Sequence, residues 1–245
     1  KEKRQAVISH AVTRGLNPTA KLKPSGIDWL GDVPEGWEVV PVGYRYEVQL
    51  GQMLNEERST GNELRPYLRV ADVQWQKINT EALPEMNFPE YARERYRLAA
   101  GDLLVTEGGY IGRSAIWRGE LEECYYQKAL HRLRPRTIGD TTEFFVFVME
   151  MAVGKSIFVV GANQTTIQHL TAEQLRGYRF AFPQLEEQLE IARFLKTATT
   201  ELDDLTATAE TAITLLQERR AALISAAVTG KIDVRDHVAA QTEAA

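Results

Sequence analysis

An uninterrupted heptad pattern near the end of the sequence constrains the fold most. No proline or glycine occurs from Gln184 to Thr229, whereas Pro183 precedes this segment and Gly230 follows it as stop signals. Apolar residues recur in two interleaved seven-residue series, of which the strongest members are Ile191, Leu195, Leu202, Leu205, Leu216 and Leu223. A helix of ~46 residues would be roughly 69 Å long. Its apolar stripe requires an antiparallel partner helix, from the same chain or from another.

A short sequence phrase at the beginning of the chain recurs near its end. Residues 2–15 read "EKRQAVISHAVTRG" and residues 218–231 read "ERRAALISAAVTGK". At a constant offset of 216, the seven identities within residues 4–13 are Arg4, Ala6, Ile8, Ser9, Ala11, Val12 and Thr13 against Arg220, Ala222, Ile224, Ser225, Ala227, Val228 and Thr229. This offset is too long for a solenoid repeat and fits a domain plus a helix. We interpret residues 1–15 as the end of a preceding conserved spacer helix; two unrelated alanine-rich helix ends are the alternative.

The region between the two phrases divides into a linker and a domain. Prolines and glycines exclude a long helix or strand from residues 16–38. Their apolar residues Ile27, Trp29, Leu30 and Trp37 are expected to pack against the domain that follows, residues 39–183. The long helix then occupies residues 184–230, and residues 231–245 form a tail.

Residues 39–183 show both strand and helix patterns. Strands are predicted at 67–73, 101–108, 114–119 and 131–136, a buried helix at 141–158, and a short helix at 171–178. Thr171 and Gln174 form the capping-box pattern of the short helix. The predicted fold class is therefore α+β: one globular mixed α/β domain with a mixed or mainly antiparallel sheet, followed by a long coiled-coil-forming helix.

Composition and motifs exclude several classes of protein. The longest apolar run is far short of the ~20 residues of a membrane span, and the polar N-terminal segment lacks a signal-peptide core. The single cysteine, Cys124, fits the reducing cytoplasm. There is no P-loop, no cysteine–histidine metal set and no nucleophile elbow. We therefore predict no catalytic residue, no metal ligand and no cofactor bound by this chain.

Three polar clusters are candidates for binding DNA. Although the net charge is −5, residues 41–136 carry 14 basic and 14 acidic side chains and are neutral. The predicted DNA-facing residues are Gln74 and Lys77 after the first strand, Tyr110 and Arg113 on a glycine-flanked tip, and Asn163, Gln164 and Thr165 before the short helix. Amide and guanidinium groups read base edges, whereas lysine and hydroxyl groups hold phosphates. Ordinary solvated loops are the alternative interpretation.

Several passages resemble one known family. "ERRAALISAAVTGKIDV" resembles the closing phrase of Type I restriction–modification specificity subunits, and "AVTRGLNPTAKLKPSGIDWLGDVPEGWEVVPVG" resembles their path from a central helix into the second target-recognition domain. "YLRVADVQ", "GDLLVTEGGYIGRSAIW" and "NQTTIQHLTAEQLRGYRFAFPQLEEQLEIARFL" resemble the family in order and spacing. The resemblance covers nearly the whole chain.

The resemblance implies a non-catalytic reader of double-stranded DNA. In this family each of two target-recognition domains reads one half of a split target, and two long antiparallel helices fix the spacer and dock modification subunits, which recruit restriction subunits. S-adenosylmethionine, ATP and magnesium belong to those partners. Only one recognition domain is present here, so we expect the C-terminal part of a two-domain subunit or, less simply, a half-size subunit that pairs with itself. A coiled-coil adaptor whose globular head binds protein is the alternative function.

Overall fold

A computed structural model of the chain describes residues 2–54, 63–158 and 169–232. Its helices are α1 Glu2–Arg14, α2 Val42–Arg45, α3 Glu90–Tyr96, α4 Thr142–Gly154, α5 Ala172–Gly177 and α6 Leu185–Val228. Its strands are β1 Leu22–Pro24, β2 Asp32–Pro34, β3 Glu38–Pro41, β4 Tyr46–Leu50, β5 Leu64–Leu68, β6 Val73–Gln74, β7 Lys77–Ile78, β8 Glu85–Asn87, β9 Leu103–Thr106, β10 Ser114–Ile116, β11 Tyr125–Tyr126, β12 Leu130–Pro135 and β13 Arg179–Phe182.

The central sheet is antiparallel, in the order β10-β9-β12-β4. Leu133 pairs with Val48 on one side and with Leu103 on the other. Smaller antiparallel pairings join β13 to β3, β5 to β8, β6 to β7 and β1 to β2, whereas β11 pairs with β5 in parallel. The prediction of an α+β fold with a mainly antiparallel sheet is confirmed.

Strand β9 separates two hydrophobic cores. Its residues are all buried, and alternate side chains point to opposite faces of a strand. Leu103 and Val105 belong to the main core with helix α4, whereas Leu104 belongs to a second core that also contains Val73 and Ile78. The hairpin formed by β6 and β7 is therefore anchored in the second core.

Helix α4 lies at the centre of the main core. The predicted helix 141–158 is confirmed in type, and it begins where the Thr141 hydroxyl accepts a hydrogen bond from the Glu143 N–H. Phenylalanine rings of α4 pack on the strands; Phe145 stacks on Tyr46 with ring centres 4.6 Å apart. Glu150 is the only charged residue among the buried residues of α4.

Helix α1 is part of the same core. Ile8, Ala11 and Val12 are buried in the cluster that contains α4. Gly154 at the end of α4 lies so close to the Gln5 side chain of α1 that a Cβ there would collide with it. The chain segment of residues 1–196 is one compact unit, and this unit is wider than the predicted domain of residues 39–183.

The linker packs as expected but contains a short hairpin. Leu30 and Trp37 are buried, and the Trp29 ring meets Phe180 edge-on with centres 5.4 Å apart. The Trp37 indole N–H donates to Glu187 Oε2 at 3.0 Å. The paired strands β1 and β2 span three residues each, so the prolines and glycines do exclude a long element.

One predicted strand is interrupted. Residues 67–73 were expected to be extended, but Val70–Asp72 form a 3₁₀ turn between β5 and β6. The Asp72 carboxylate accepts hydrogen bonds from the backbone N–H and the side chain of Arg69 and closes the turn. This side chain–backbone bond competes with the strand pairing that the apolar pattern predicted.

Helix α6 runs from Leu185 to Val228 without interruption. Of the predicted seam residues, Ile191 and Leu195 are buried within the main core of the first unit. Leu202 is partly exposed, and Leu205, Leu216 and Leu223 are exposed within the described residues. The second unit begins at Thr197 and comprises the remainder of this helix and the residues after it. Within the described ranges, no helix has the length and apolar content needed to span a bilayer.

Candidate nucleic-acid interface

The hairpin of β6 and β7 presents two of the predicted DNA-facing residues. Val73 pairs with Ile78 and Gln74 pairs with Lys77, with Trp75 and Gln76 at the tip. Because Val73 and Ile78 point into the second core, the period of two leaves Gln74 and Lys77 exposed. Burial of the apolar pair thus fixes which side chains face solvent.

The loop between β9 and β10 carries two more of the predicted residues, Tyr110 and Arg113. The hydroxyl of Thr106 donates to the carbonyl oxygen of Tyr110, and the N–H of Gly112 donates to the carbonyl oxygen of Thr106 at 3.0 Å. Gly112 has a φ of +78°, and a Cβ there would lie 2.7 Å from Cγ2 of Val153 in α4. Only glycine meets both conditions without displacement, so the loop is fixed against the end of α4.

Arg113 connects the loop to the hairpin. Its Nη1 donates to Gln74 Oε1 at 3.0 Å, and its Nη2 donates to the carbonyl oxygen of Val70 at 3.0 Å. The guanidinium carbon lies 4.4 Å from the centre of the Tyr110 ring, a distance typical of a cation–π contact. The structure therefore brings together four residues that the sequence predicts separately: Gln74, Lys77, Tyr110 and Arg113.

Arg113 does not face solvent in this arrangement. It is 7% exposed, and its Nε has no hydrogen-bond partner among the described residues. Burial lowers the pKa of the guanidinium from its ordinary value, while the Tyr110 hydroxyl acts in the opposite direction. Tyr110, by contrast, is 70% exposed. The buried cation supports a surface that Tyr110, Gln74 and Lys77 form.

The Gln74 amide is held at both ends. Its oxygen accepts from Arg113, and its Nε2 donates to the carbonyl oxygen of Ala71 at 2.8 Å. A side-chain amide has two donors and two acceptor sites, so one of each is left over from these two bonds. These two bonds fix the orientation of the Gln74 amide and leave one donor and one acceptor available to a ligand.

Two residues outside the predicted DNA-facing set, Gln76 and Glu150, also shape this surface. Gln76 has a φ of +52°, which is uncommon for a residue other than glycine, asparagine or aspartate. Its side chain donates to Glu150 Oε2 at 3.1 Å. A single carboxylate within the apolar segment "FFVFVMEMAVG" is a signal that the sequence does contain, because buried charges require partners. The predicted residues Asn163, Gln164 and Thr165 lie outside the described residues.

Two titratable residues outside this surface, Cys124 and His131, are buried. Burial raises the pKa of the Cys124 thiol to about 12, so the thiol is protonated near neutral pH and is a poor nucleophile. His131 is buried, with Nε2 2.7 Å from the carbonyl oxygen of Leu170, and burial lowers its pKa. The ranges that the structure describes contain no group of three or more histidine, cysteine, aspartate or glutamate residues able to hold a metal ion.

Comparison with known proteins identifies the family. Residues 34–215 match the model of the Type I restriction modification DNA specificity domain. This chain belongs to that family. The matched residues include the four-stranded sheet, the hairpin and loop described above, and more than half of α6. The DNA specificity domain therefore extends into the long helix.

Relatives from type I restriction systems resemble this chain in sequence or in fold, at low identity. A protein of Methanocaldococcus jannaschii assigned as the MjaX specificity subunit of a type I restriction enzyme is 25% identical over 199 residues, which cover 78% of this chain and 45% of that protein. A chain from a structural study of complex assembly and conformational transition in a type I R-M system matches with a TM-score of 0.64 and 20% identity, over 92% of this chain and 52% of its own length. The HsdS subunit from Thermoanaerobacter tengcongensis matches with a TM-score of 0.58 and 18% identity, over 84% of this chain and 45% of that subunit. The chain thus spans about half the length of the relatives that it matches.

Proposed function

We propose that this chain acts within a type I restriction–modification specificity subunit, and that its first compact unit reads one half of a bipartite DNA target. The observation that carries the proposal is a preorganised polar surface, formed by the exposed side chains of Gln74, Lys77 and Tyr110, in a domain of the DNA specificity family. The internal bonds of Arg113 fix the hairpin and the loop relative to each other before any ligand arrives.

Each exposed residue suits a particular contact with DNA. The ammonium group of Lys77 is suited to a phosphate, and the remaining donor and acceptor of Gln74 are suited to an adenine edge. The Tyr110 ring offers an apolar face and a hydroxyl group. Arg113 acts by orienting Gln74 and Tyr110 and not by reaching a base itself. Asn163, Gln164 and Thr165 remain predicted to face the DNA.

Helix α6 is proposed to serve as the spacer and docking element. Its exposed leucines, Leu205, Leu216 and Leu223, would pair with an antiparallel helix, either from an N-terminal half of the same subunit or from a second copy. Modification subunits would dock on this helix pair, and restriction subunits would join through the assembled complex. S-adenosylmethionine, ATP and magnesium would be bound by those partners, and this chain would supply recognition alone. Because its proposed ligand is cellular DNA, we assign the chain to the cytoplasm.

Binding to DNA as a function of salt tests the proposal. The chain is assembled with its modification subunits, the target is obtained by mapping methylated sites in genomic DNA, and affinity for target and random duplexes is measured across salt concentrations. We expect Lys77→Gln to lower the affinity for target and random duplexes by a similar factor. It should also reduce the slope of log affinity against log salt concentration by about one, as loss of one phosphate contact requires.

A matched lysine provides the control. Lys21 is exposed in the segment before β1, and Lys21→Gln should leave the slope unchanged. Absence of salt-dependent DNA binding by the wild-type assembly at low salt would contradict the proposal and favour the protein-binding adaptor. A slope unchanged by Lys77→Gln would remove Lys77 from the interface while leaving DNA reading in place.

A further inference from the structure

We propose that Glu150 is a positioning residue for DNA reading, because it ties the hairpin of β6 and β7 to helix α1. This inference rests on the proposed function of that hairpin. The three residues Arg4, Glu150 and Gln76 are called the Glu150 bridge. They belong to α1, to α4 and to the hairpin tip, which are distant in sequence.

The carboxylate of Glu150 is shared between two partners. The residue is 7% exposed, and one oxygen forms an ion pair with the Arg4 guanidinium. The other oxygen accepts from Gln76 Nε2 at 3.1 Å. A buried carboxylate is strongly unfavourable unless hydrogen bonds and an opposite charge compensate it. Both partners are therefore held in place by the same buried group.

The hairpin tip needs stabilising contacts of this kind. With a φ of +52°, Gln76 occupies a backbone conformation that its side chain does not favour by itself. Besides the bond to Glu150, its backbone N–H donates to the carbonyl oxygen of Ser114 at 3.0 Å. Gln76 lies between Gln74 and Lys77, so a change in its conformation moves the side chains proposed to contact DNA. Arg113 holds Gln74 from the loop side, and Glu150 holds the tip from the helix side.

The other end of the bridge is equally fixed. Helix α1 is anchored on the core through Ile8, Ala11 and Val12, and Gln5 lies against Gly154, one turn after Glu150. Arg4 occupies the first turn of α1. Because Glu150 contacts both Arg4 and Gln76, the position of α1 helps to fix the position of the hairpin. In this proposal, α1 is not a passive end of a helix but part of the reading geometry.

The test compares Glu150→Gln with a matched change on the same helix. Glu143→Gln removes a carboxylate two turns earlier on α4, which pairs with Arg118 instead of with Arg4 or Gln76. Both variants are made in the full chain and assembled with the modification subunits. The first measurement is the ratio of affinities for the mapped target and for a duplex with one base pair changed in this half-site. The second is hydrogen exchange of the backbone amides of residues 73–78 without DNA.

For Glu150→Gln we expect that ratio to fall about ten-fold, within the range of one well-placed base contact. Affinity for random duplex should change little, because the long, flexible side chain of Lys77 can still reach a phosphate after the hairpin shifts. Exchange of the hairpin amides should accelerate, because a carboxamide offers one acceptor oxygen to the two donors, Arg4 and Gln76, that the carboxylate holds separately. Glu143→Gln should match the wild type in both measurements.

A second variant distinguishes loss of this contact from a general loss of folding. Gln76→Asn keeps an amide and a residue that tolerates positive φ, but it is one methylene too short to reach Glu150, and it leaves the Arg4–Glu150 pair intact. Like Glu150→Gln, it should lower the ratio of affinities for target and altered duplex, and it should accelerate hydrogen exchange of the hairpin amides. Wild-type discrimination and wild-type exchange in both bridge variants would overturn the inference. If the wild type itself does not distinguish target from random duplex, the proposed function fails, and the exchange measurement separately shows whether the bridge holds the hairpin.

Discussion

The two copies of the repeated phrase form the same helix end in opposite surroundings. In α1 the Thr13 hydroxyl donates to the carbonyl oxygen of Ser9 at 2.7 Å, and near the end of α6 Thr229 makes the same bond to Ser225, also at 2.7 Å. Ile8 is 0% exposed, whereas its counterpart Ile224 is 53% exposed. Val12 is 2% exposed, whereas Val228 is 81% exposed.

This difference separates what the phrase determines from what its surroundings determine. The hydroxyl-to-carbonyl bond spans four residues, so any chain carrying the phrase can form it. Burial of the isoleucine and valine needs a second surface, which α4 and the main core supply to the first copy. The apolar face of the second copy is what an assembly partner would cover, and this fits the docking role proposed for α6.

Truncation of the two isoleucines should give the largest contrast. Ile8→Ala leaves a cavity in the main core, and we expect it to lower the free energy of unfolding by about 2–5 kcal/mol. Ile224→Ala removes an exposed side chain from a helix, so the change should stay within about 0.5 kcal/mol. Urea unfolding of the chain, followed by tryptophan fluorescence, measures both. Similar losses in the two variants would show that the second copy is also buried in the isolated chain.

The elements best predicted from sequence are those whose signals are local. The long helix was expected at 184–229 and found at Leu185–Val228, because Pro183 and Gly230 delimit a segment without breakers. The capping box of Thr171 and Gln174 is likewise present in α5. The strand predicted at 67–73 was wrong over Val70–Asp72, because the bond from Arg69 to Asp72 outweighs the apolar pattern there.

The candidate site was harder to predict, because its contacts are remote in sequence. Arg113 meets Gln74 and Val70 some 40 positions earlier, so no local pattern shows that its guanidinium is buried. The exposure of Gln74 and Lys77, in contrast, follows from the alternation with buried Val73 and Ile78. Glu150 could have been singled out as a lone charge in an apolar helix, but its partners Arg4 and Gln76 could not.

The glycines that follow the two helices should give an intermediate contrast. Gly15 has a φ of +75°, and an added Cβ would lie 3.0 Å from Glu187 Oε1 and 3.4 Å from the Trp37 ring. Gly230 has a φ of +70° with nothing within 4 Å of an added Cβ. Both alanine variants meet a left-handed penalty of about 1–2 kcal/mol, but the end of α6 can fray locally to avoid it.

We therefore expect Gly15→Ala to destabilise the whole compact unit by about 1–2 kcal/mol or more, and Gly230→Ala to leave global unfolding unchanged. Urea unfolding checks the first effect, and hydrogen exchange near Val228 checks the fraying. Equal midpoints for Gly15→Ala and the wild type would mean that the contact of Glu187 with Trp37 adjusts freely around the new methyl group.

The smallest contrast concerns the bond that the two copies share. Thr13→Val keeps the shape of a buried side chain but removes its hydroxyl group, and we expect a loss of about 0.5–1.5 kcal/mol in unfolding free energy. Thr229 is exposed, so its hydroxyl exchanges one hydrogen bond for another with water, and Thr229→Val should change stability by no more than about 0.5 kcal/mol. Comparing the two unfolding midpoints in the same buffer isolates burial as the variable, because residue type, bond length and position in the phrase are all the same. If both substitutions cost the same, the bond would contribute equally in water and in the core, and the contrast between the two copies would rest on their apolar residues alone.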